Sequence, residues 1–198
     1  MYNPTPQHDT PAAAVPAIQA PESYALKNTR EVRQDGRLLR LTRYEKSDGS
    51  NAGLGGEHFS YVVDAATDRL MGSTYLDARL SEQPLPDKET ARAVAMAFVA
   101  RVAPELSSAL TVLWIEPHSE TITVAGPQGP RSLQIIGQKV KCHHKPSSTY
   151  TWVIVGANAQ IITFERDIIW STARAQRVTE KWLHDTWLKA HEKVSESR

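Results

Sequence analysis

The stretch Tyr150–Val155 constrains this chain more than any other. Alternate side chains of a strand face opposite ways, which puts Tyr150, Trp152 and Ile154 on one side and Thr151, Val153 and Val155 on the other. Both sides are apolar, so a strand with this composition must be covered twice. One cover is legible. Ala91, Val94, Ala95, Phe98, Val99 and Val102 recur at i, i+3, i+4, i+7, i+8 and i+11, with Arg92 and Arg101 off the stripe. Asp87 can cap this helix, Pro86 precedes it and Pro104 closes it, which predicts a helix over about 87–103. The second cover is expected from the C-terminus. There Thr179, Trp182, Leu183, Thr186, Trp187 and Ala190 repeat the helical spacing, predicting a helix over about 172–194. A sheet face that this helix left bare would be a partner surface.

Further strands are expected at about 38–44, 110–116, 120–125, 131–142, 149–156 and 160–167, with regular structure beginning near Leu38. The glycine-rich connection 47–56 matches no phosphate-binding fingerprint and reads as a hinge or hairpin tip. Two hairpin-like stretches, 58–77 and 149–167, share a grammar of aromatic-x-aromatic-apolar, polar turn and apolar return ending in aspartate, which suggests an internal repeat. Prolines at 4, 6, 11, 16 and 21 make residues 1–22 a Pro/Ala-rich disordered tail or tether. The expectation is one α+β domain over 23–198. Its mainly antiparallel sheet is wrapped on a central helix (about 87–103), with a C-terminal helix (about 172–194) docked alongside.

The order of helix followed by antiparallel strands resembles the PepSY and cystatin-like α+β arrangement, in which a curled sheet wraps a helix. The residues that carry the likeness are Asp64, Thr67, Asp68 and Leu70, similar to a D-x-x-T-G-x-aliphatic turn with Asp68 where that pattern has glycine, and the helix Ala91–Val102 feeding the hairpin 149–167. It spans roughly residues 58–167. The resemblance implies a non-catalytic module that binds or restrains a peptidase or an envelope partner, in a class that is usually exported.

Composition removes several functions. Lysine plus arginine number 23 and aspartate plus glutamate 22, so a net charge of +1 argues against a nucleic-acid coat. The basic strip Lys27, Arg30, Arg33, Arg37, Arg40, Arg43 and Lys46 lacks the interleaved aromatics of a single-strand platform and reads as a soluble sheet edge. No apolar run is long enough to span a membrane. Without an export signal as written, the chain reads as cytoplasmic, or periplasmic if a signal was removed.

The chemistry-bearing residues are few. Cys142 and His144 would share a strand face with His143 opposite, but no metal-ligand spacing accompanies them, so neither a metal nor a cofactor is expected. Glu165 and Asp167 are two apart and read as charges at the solvated end of an edge hairpin. The expected function is therefore non-enzymatic: a binding or regulatory module of PepSY-like type. It would use Trp152, Trp182 and Trp187 against a protein or peptide partner, a second copy of the chain included. The alternative is a small-molecule-binding or enzymatic cystatin-like cone with His58, His118 and Glu165 as its polar pocket groups. A pocket gathering those three side chains, as against a flat apolar patch, separates the two.

Overall fold

Two four-stranded meanders joined by a helix share one sheet. The computed structural model describes residues 18–195, with side chains to residue 191. The first meander is β1 (Tyr24–Gln34), β2 (Arg37–Lys46), β3 (His58–Asp64) and β4 (Leu70–Leu76). Helices α1 (Lys88–Val102) and α2 (Pro104–Ser107) lead to the second: β5 (Leu110–Val124), β6 (Arg131–His144), β7 (Thr149–Val155) and β8 (Ile161–Ile168). The antiparallel order is β1-β2-β3-β4-β8-β7-β6-β5. The meanders meet where Gly72, Ser73 and Thr74 pair with Glu165, Phe164 and Thr163, so the two look-alike hairpins lie side by side. The chain ends with the short strands β9 (Trp170–Ser171) and β10 (Gln176–Arg177) and helix α3 (Asp185–Ser195). The described residues form a sheet-rich architecture with three α-helices. Helix α1 lies chiefly against β5–β7 rather than at the centre of a wrapped sheet. No described helix is long and apolar enough to cross a membrane.

Helix α1 forms where the apolar stripe predicts it. The Asp87 side chain accepts from the Thr90 amide at 2.8 Å, satisfying one orphan donor of the first turn. Ala91, Ala95, Phe98 and Val99 are buried against Val140, Cys142, Val153, Val155 and Phe164, and Phe98 meets Phe164 edge to face at 5.4 Å. This is the first cover of the two-sided strand. The Cys142 thiol lies inside this layer, its pKa pushed up to about 11 by burial.

Three expectations are corrected. Regular structure begins at Tyr24, not Leu38: β1 is an edge strand, where charged residues are tolerated on the solvent side and leave no hydrophobic signature. The strands expected at 110–116 and 120–125 are one, since Pro117 falls on the outer edge strand β5, where its missing N–H breaks no ladder. The C-terminal helix covers 185–195 and not 172–194. The Thr179 hydroxyl donates to Asp35 Oδ2 at 2.8 Å and accepts from the Ile169 amide, while the Asp35 amide donates to Glu180 at 2.9 Å. These ties to the β1–β2 turn hold 178–180 out of helical geometry, overriding a spacing that fits it. Of the expected tail, residues 1–17 lie outside the described residues, and Ile18 and Ala20 pack against the aromatic cluster of Tyr24, Phe59 and Tyr75. Asp68, in the glycine place of the turn, adopts φ +53° and contacts Arg40.

The β5–β6 hairpin outruns its neighbour. β7 pairs with β6 only over 138–144, and the remainder curls over the sheet face opposite α1. Ile122, Leu133 and Ile135 of this arm pack on Leu76, Ile154 and Ile162. At the tip, the Thr123 amide donates to the Gly55 carbonyl at 2.7 Å. Gly137 marks the bend. A Cβ there would stand 2.6 Å from Ile154 Cγ2 and 3.0 Å from the Val155 carbonyl oxygen, so only glycine permits the crossing. Gly137→Ala is expected to cost about 1–3 kcal/mol in urea unfolding, the usual penalty of overpacking. An unchanged midpoint would show that the arm does not depend on this close approach.

Candidate functional site

The sheet face opposite α1 carries a band of polar side chains, several of them buried. Period-two alternation places on it Arg43 and Glu45 of β2, His58 of β3, Thr74 of β4, Glu165 of β8, Trp152 of β7, Lys139 of β6, and His118 and Glu120 of β5. The C-terminal segment straps across it. Leu183 packs into a nest of Val32, Leu39, Leu41, Val62 and Met71, and on either side of that anchor the strap delivers charge.

At one end, Glu165 is 3% exposed on a central strand. Its carboxylate accepts from the Trp152 indole at 2.9 Å and from His184 Nε2 at 3.0 Å, and pairs with Arg177 Nη1 at 2.7 Å. Burial works to raise its pKa, but His184 and Arg177 outweigh it and hold the group far below the ordinary carboxylate range. Burial likewise opposes charge on His184, and Glu165 overrides it, raising the imidazole pKa. The expected position of Glu165 at a solvated hairpin end is thus corrected, because β8 pairs with β4 and not with solvent. Asp167 does not join it: φ there is +57°, the ladder shifts register, and the side chain reaches toward Arg37.

At the other end, Arg43 grips Asp185 with both terminal nitrogens, at 2.8 and 3.1 Å, and holds Glu45 through Nε at 2.9 Å. The glycine connection closes around them: the Gly53 amide donates to Glu45 and the Gly55 amide to Asp185. The connection 47–56 is the tip of the β2–β3 hairpin, as one of its two expected readings had it, and it is bonded to its surroundings as a wall. His58 is fully buried, with Nδ1 at 3.0 Å from the Gly56 carbonyl. Burial lowers its pKa against the pull of Asp185, so the ring is neutral at pH 7. Nδ1 then carries the proton, and Nε2 has no hydrogen-bond partner among the described residues.

Two cavities adjoin between strap and sheet. One, of about 320 Å³, is bordered by His118, Lys139, Trp152, Trp170 and Arg177. The other, of about 180 Å³, is bordered by His58, Thr74, Thr121 and Asp185. Glu120 and His184 border both. His58 and His118 therefore open onto this space from distant strands, and Glu165 fixes two of its wall residues, Trp152 and His184, from behind. Glu120, Lys139, Arg177, His184 and Asp185 join the site with no motif in the sequence to mark them as a group. The His118/Glu120 pair, two apart on a strand, was a usable signal, and its side chains meet at 3.1 Å.

The remaining candidates lie elsewhere. Trp152 is 5% exposed beneath its own chain. Trp182 is half-buried, donating its indole proton to the Arg33 carbonyl and meeting Trp187 edge to face at 4.7 Å. His144 shares its strand face with Cys142 and contacts Ser147, while the Cys142 thiol is buried in the helix layer. The basic strip is spent largely on internal partners, among them Asp185 for Arg43 and Asp77 for Lys46. Buried Asp77 also accepts from Tyr24, Tyr75 and Arg79, so its lone pairs are occupied. No family model, curated protein or solved structure matches this chain.

The strap's attachment is pH-dependent. With its pKa raised on folding, His184 contributes stability in full below the ordinary histidine pKa of about 6.5 and loses it as pH climbs through the folded value. Glu165, with its pKa depressed, contributes above the ordinary value of about 4.3 and loses it only as pH falls through its folded value. His184→Ala is expected to lower stability by about 1.5–3 kcal/mol near pH 6, the worth of a hydrogen bond to a charged group, and to flatten the alkaline decline. Urea titrations across pH measure both, and a variant whose pH profile overlays the wild type would remove His184 from this role.

Proposed function

We propose that the chain is a non-enzymatic binding module that holds a small polar molecule between the polar sheet face and the C-terminal strap. The observation that carries this is the convergence of His58 and His118 on adjoining cavities, with Glu165 bracing the shared wall. A larger volume of about 320 Å³ falls in the range of ligand sites, and a few converging polar groups among aromatic walls are their usual lining.

The chemistry favours holding over reacting. Glu165 is kept ionised by three donors and does not exchange protons near neutrality. Cys142 faces the helix layer with its thiol pKa raised, so it supplies no nucleophile to the cavities. The neutral His58 ring offers Nε2 as a buried acceptor, suited to a ligand hydroxyl or amide proton.

A second reading, the PepSY-like docking module for a protein or peptide, draws on the α1 side of the first meander. There Tyr44, Phe59 and Tyr61 form a mutually packed aromatic group, and Phe59 also lines a groove of about 850 Å³ between α1 and β3–β4. Fragment titration of the isotope-labelled protein by NMR distinguishes the readings. Shifts are expected at His118, Glu120, Trp152 and His184, and to be lost in His118→Trp, which fills the larger cavity. Shifts confined to Tyr44, Phe59 and Tyr61 would overturn the pocket and favour docking.

A further inference from the structure

The larger cavity contains a charge imbalance that its own residues do not resolve. Arg177 is fully engaged: Nη1 pairs with Glu165, Nε donates to the Thr179 carbonyl and Nη2 to the Glu180 carbonyl. His118 is paired with Glu120. Lys139 and Lys181 are different. Both border the cavity, and among the described residues no carboxylate stands within ion-pairing distance of either amine.

The placement of Lys139 sharpens the contrast. Its ammonium lies over the Trp152 ring at 4.1 Å, and the residue is partly buried. Burial lowers its pKa although Glu165 and, more weakly, Glu120 attract the charge from beyond ion-pairing distance, while Lys141 and Arg177 repel it. Lys141, two residues along the same face, is ringed by Tyr150, Trp170 and Trp114 at 4.7, 5.0 and 5.3 Å, so three aromatic faces share its charge. Lys139 has one such face and an open side toward the cavity. A partly desolvated ammonium with no carboxylate in contact is costly, and an anion arriving there recovers part of that cost.

We propose that the molecule bound in this cavity is a small organic anion, a carboxylate or a phosphate monoester on a flat apolar body, with its charge between Lys139 and Lys181 and its body against Trp152, Trp170 and Ile154. This rests on the pocket reading above and adds the class of ligand to it. The indole of Trp152 is fixed in orientation by its bond to Glu165, so the wall that would stack on the body is formed before the ligand arrives.

Three probes of nearly equal shape test the assignment on the full chain: benzoate, benzyl alcohol and benzylamine, with phenyl phosphate as a second anion. Binding is followed by tryptophan fluorescence and by NMR shifts at Lys139, Trp152 and Trp170. Saturable binding of benzoate or phenyl phosphate, at least tenfold tighter than the alcohol and the amine, is the expected result. Lys139→Gln should reduce anion affinity tenfold or more while leaving the alcohol unchanged, and the more exposed Lys181→Gln should reduce it less with the fold intact. Preference for the phosphate or for the carboxylate names the headgroup. If the alcohol or the amine binds at these residues as tightly as benzoate, the anion assignment is overturned while the pocket stands. If no probe shifts them, both fall.

Discussion

Glu165 carries a charge in the middle of an eight-stranded sheet, on the strand where the two meanders meet. Taking a carboxylate out of water costs several kcal/mol unless donors replace the water. Trp152 alone, on the neighbouring strand, does not suffice, and the other two donors, His184 and Arg177, come from the C-terminal strap. The same bargain is struck at the far end in reverse, where the strap brings the carboxylate of Asp185 and β2 supplies the Arg43 fork. Sheet and strap therefore carry complementary halves of two ionic clusters. Leu183 between them contributes the apolar burial, and the charges fix which residue lies over which.

This arrangement explains why cavities remain between the strap and the sheet face it covers. Apolar side chains such as Leu, Val and Phe make no directional bonds, so small shifts let them close gaps. An arginine fork, a histidine bonded on one nitrogen and a carboxylate with three donors have fixed directions, and the space between two such clusters cannot be closed by small shifts. Polar satisfaction at Glu165 and Asp185 leaves the volume bordered by Glu120 and His184.

Local features of this architecture were legible in the sequence, and long-range ones were not. The stripe from Ala91 to Val102 specifies α1 because one face of a helix must be apolar when it lies on a sheet. The two-sided apolar strand at Trp152 required two covers, and both exist, with Val153 under α1 and Trp152 under the strap. Parity along β5 puts His118 and Glu120 together, but the expected strands broke between 116 and 120, so the pair did not stand out. Nothing local, however, tells which hairpin strand will be central, so Glu165 read as a solvated charge. The spacing Thr179–Trp182–Leu183 fits a helix on its own terms. It yields to the hydrogen bonds that Thr179 and Glu180 make with Asp35, some 145 residues away in the chain. β1 escaped notice because its charges sit on an edge, where water or distant partners serve them equally well. The tryptophans singled out as docking residues are the ones the strap itself engages: Trp152 beneath it, Trp182 fastening it to β1.

The single thiol has a consequence of its own. Cys142 sits in the layer under α1, on the opposite side of the sheet from every charge the strap engages. A thiol-reactive dye can modify it only in molecules whose helix layer has come apart, because only the ionised, accessible sulfur attacks. Labelling kinetics therefore time the opening of one face while tryptophan emission watches the other. The chain thus comes with a native clock for asking whether its two sides unfold as one cooperative unit or in succession.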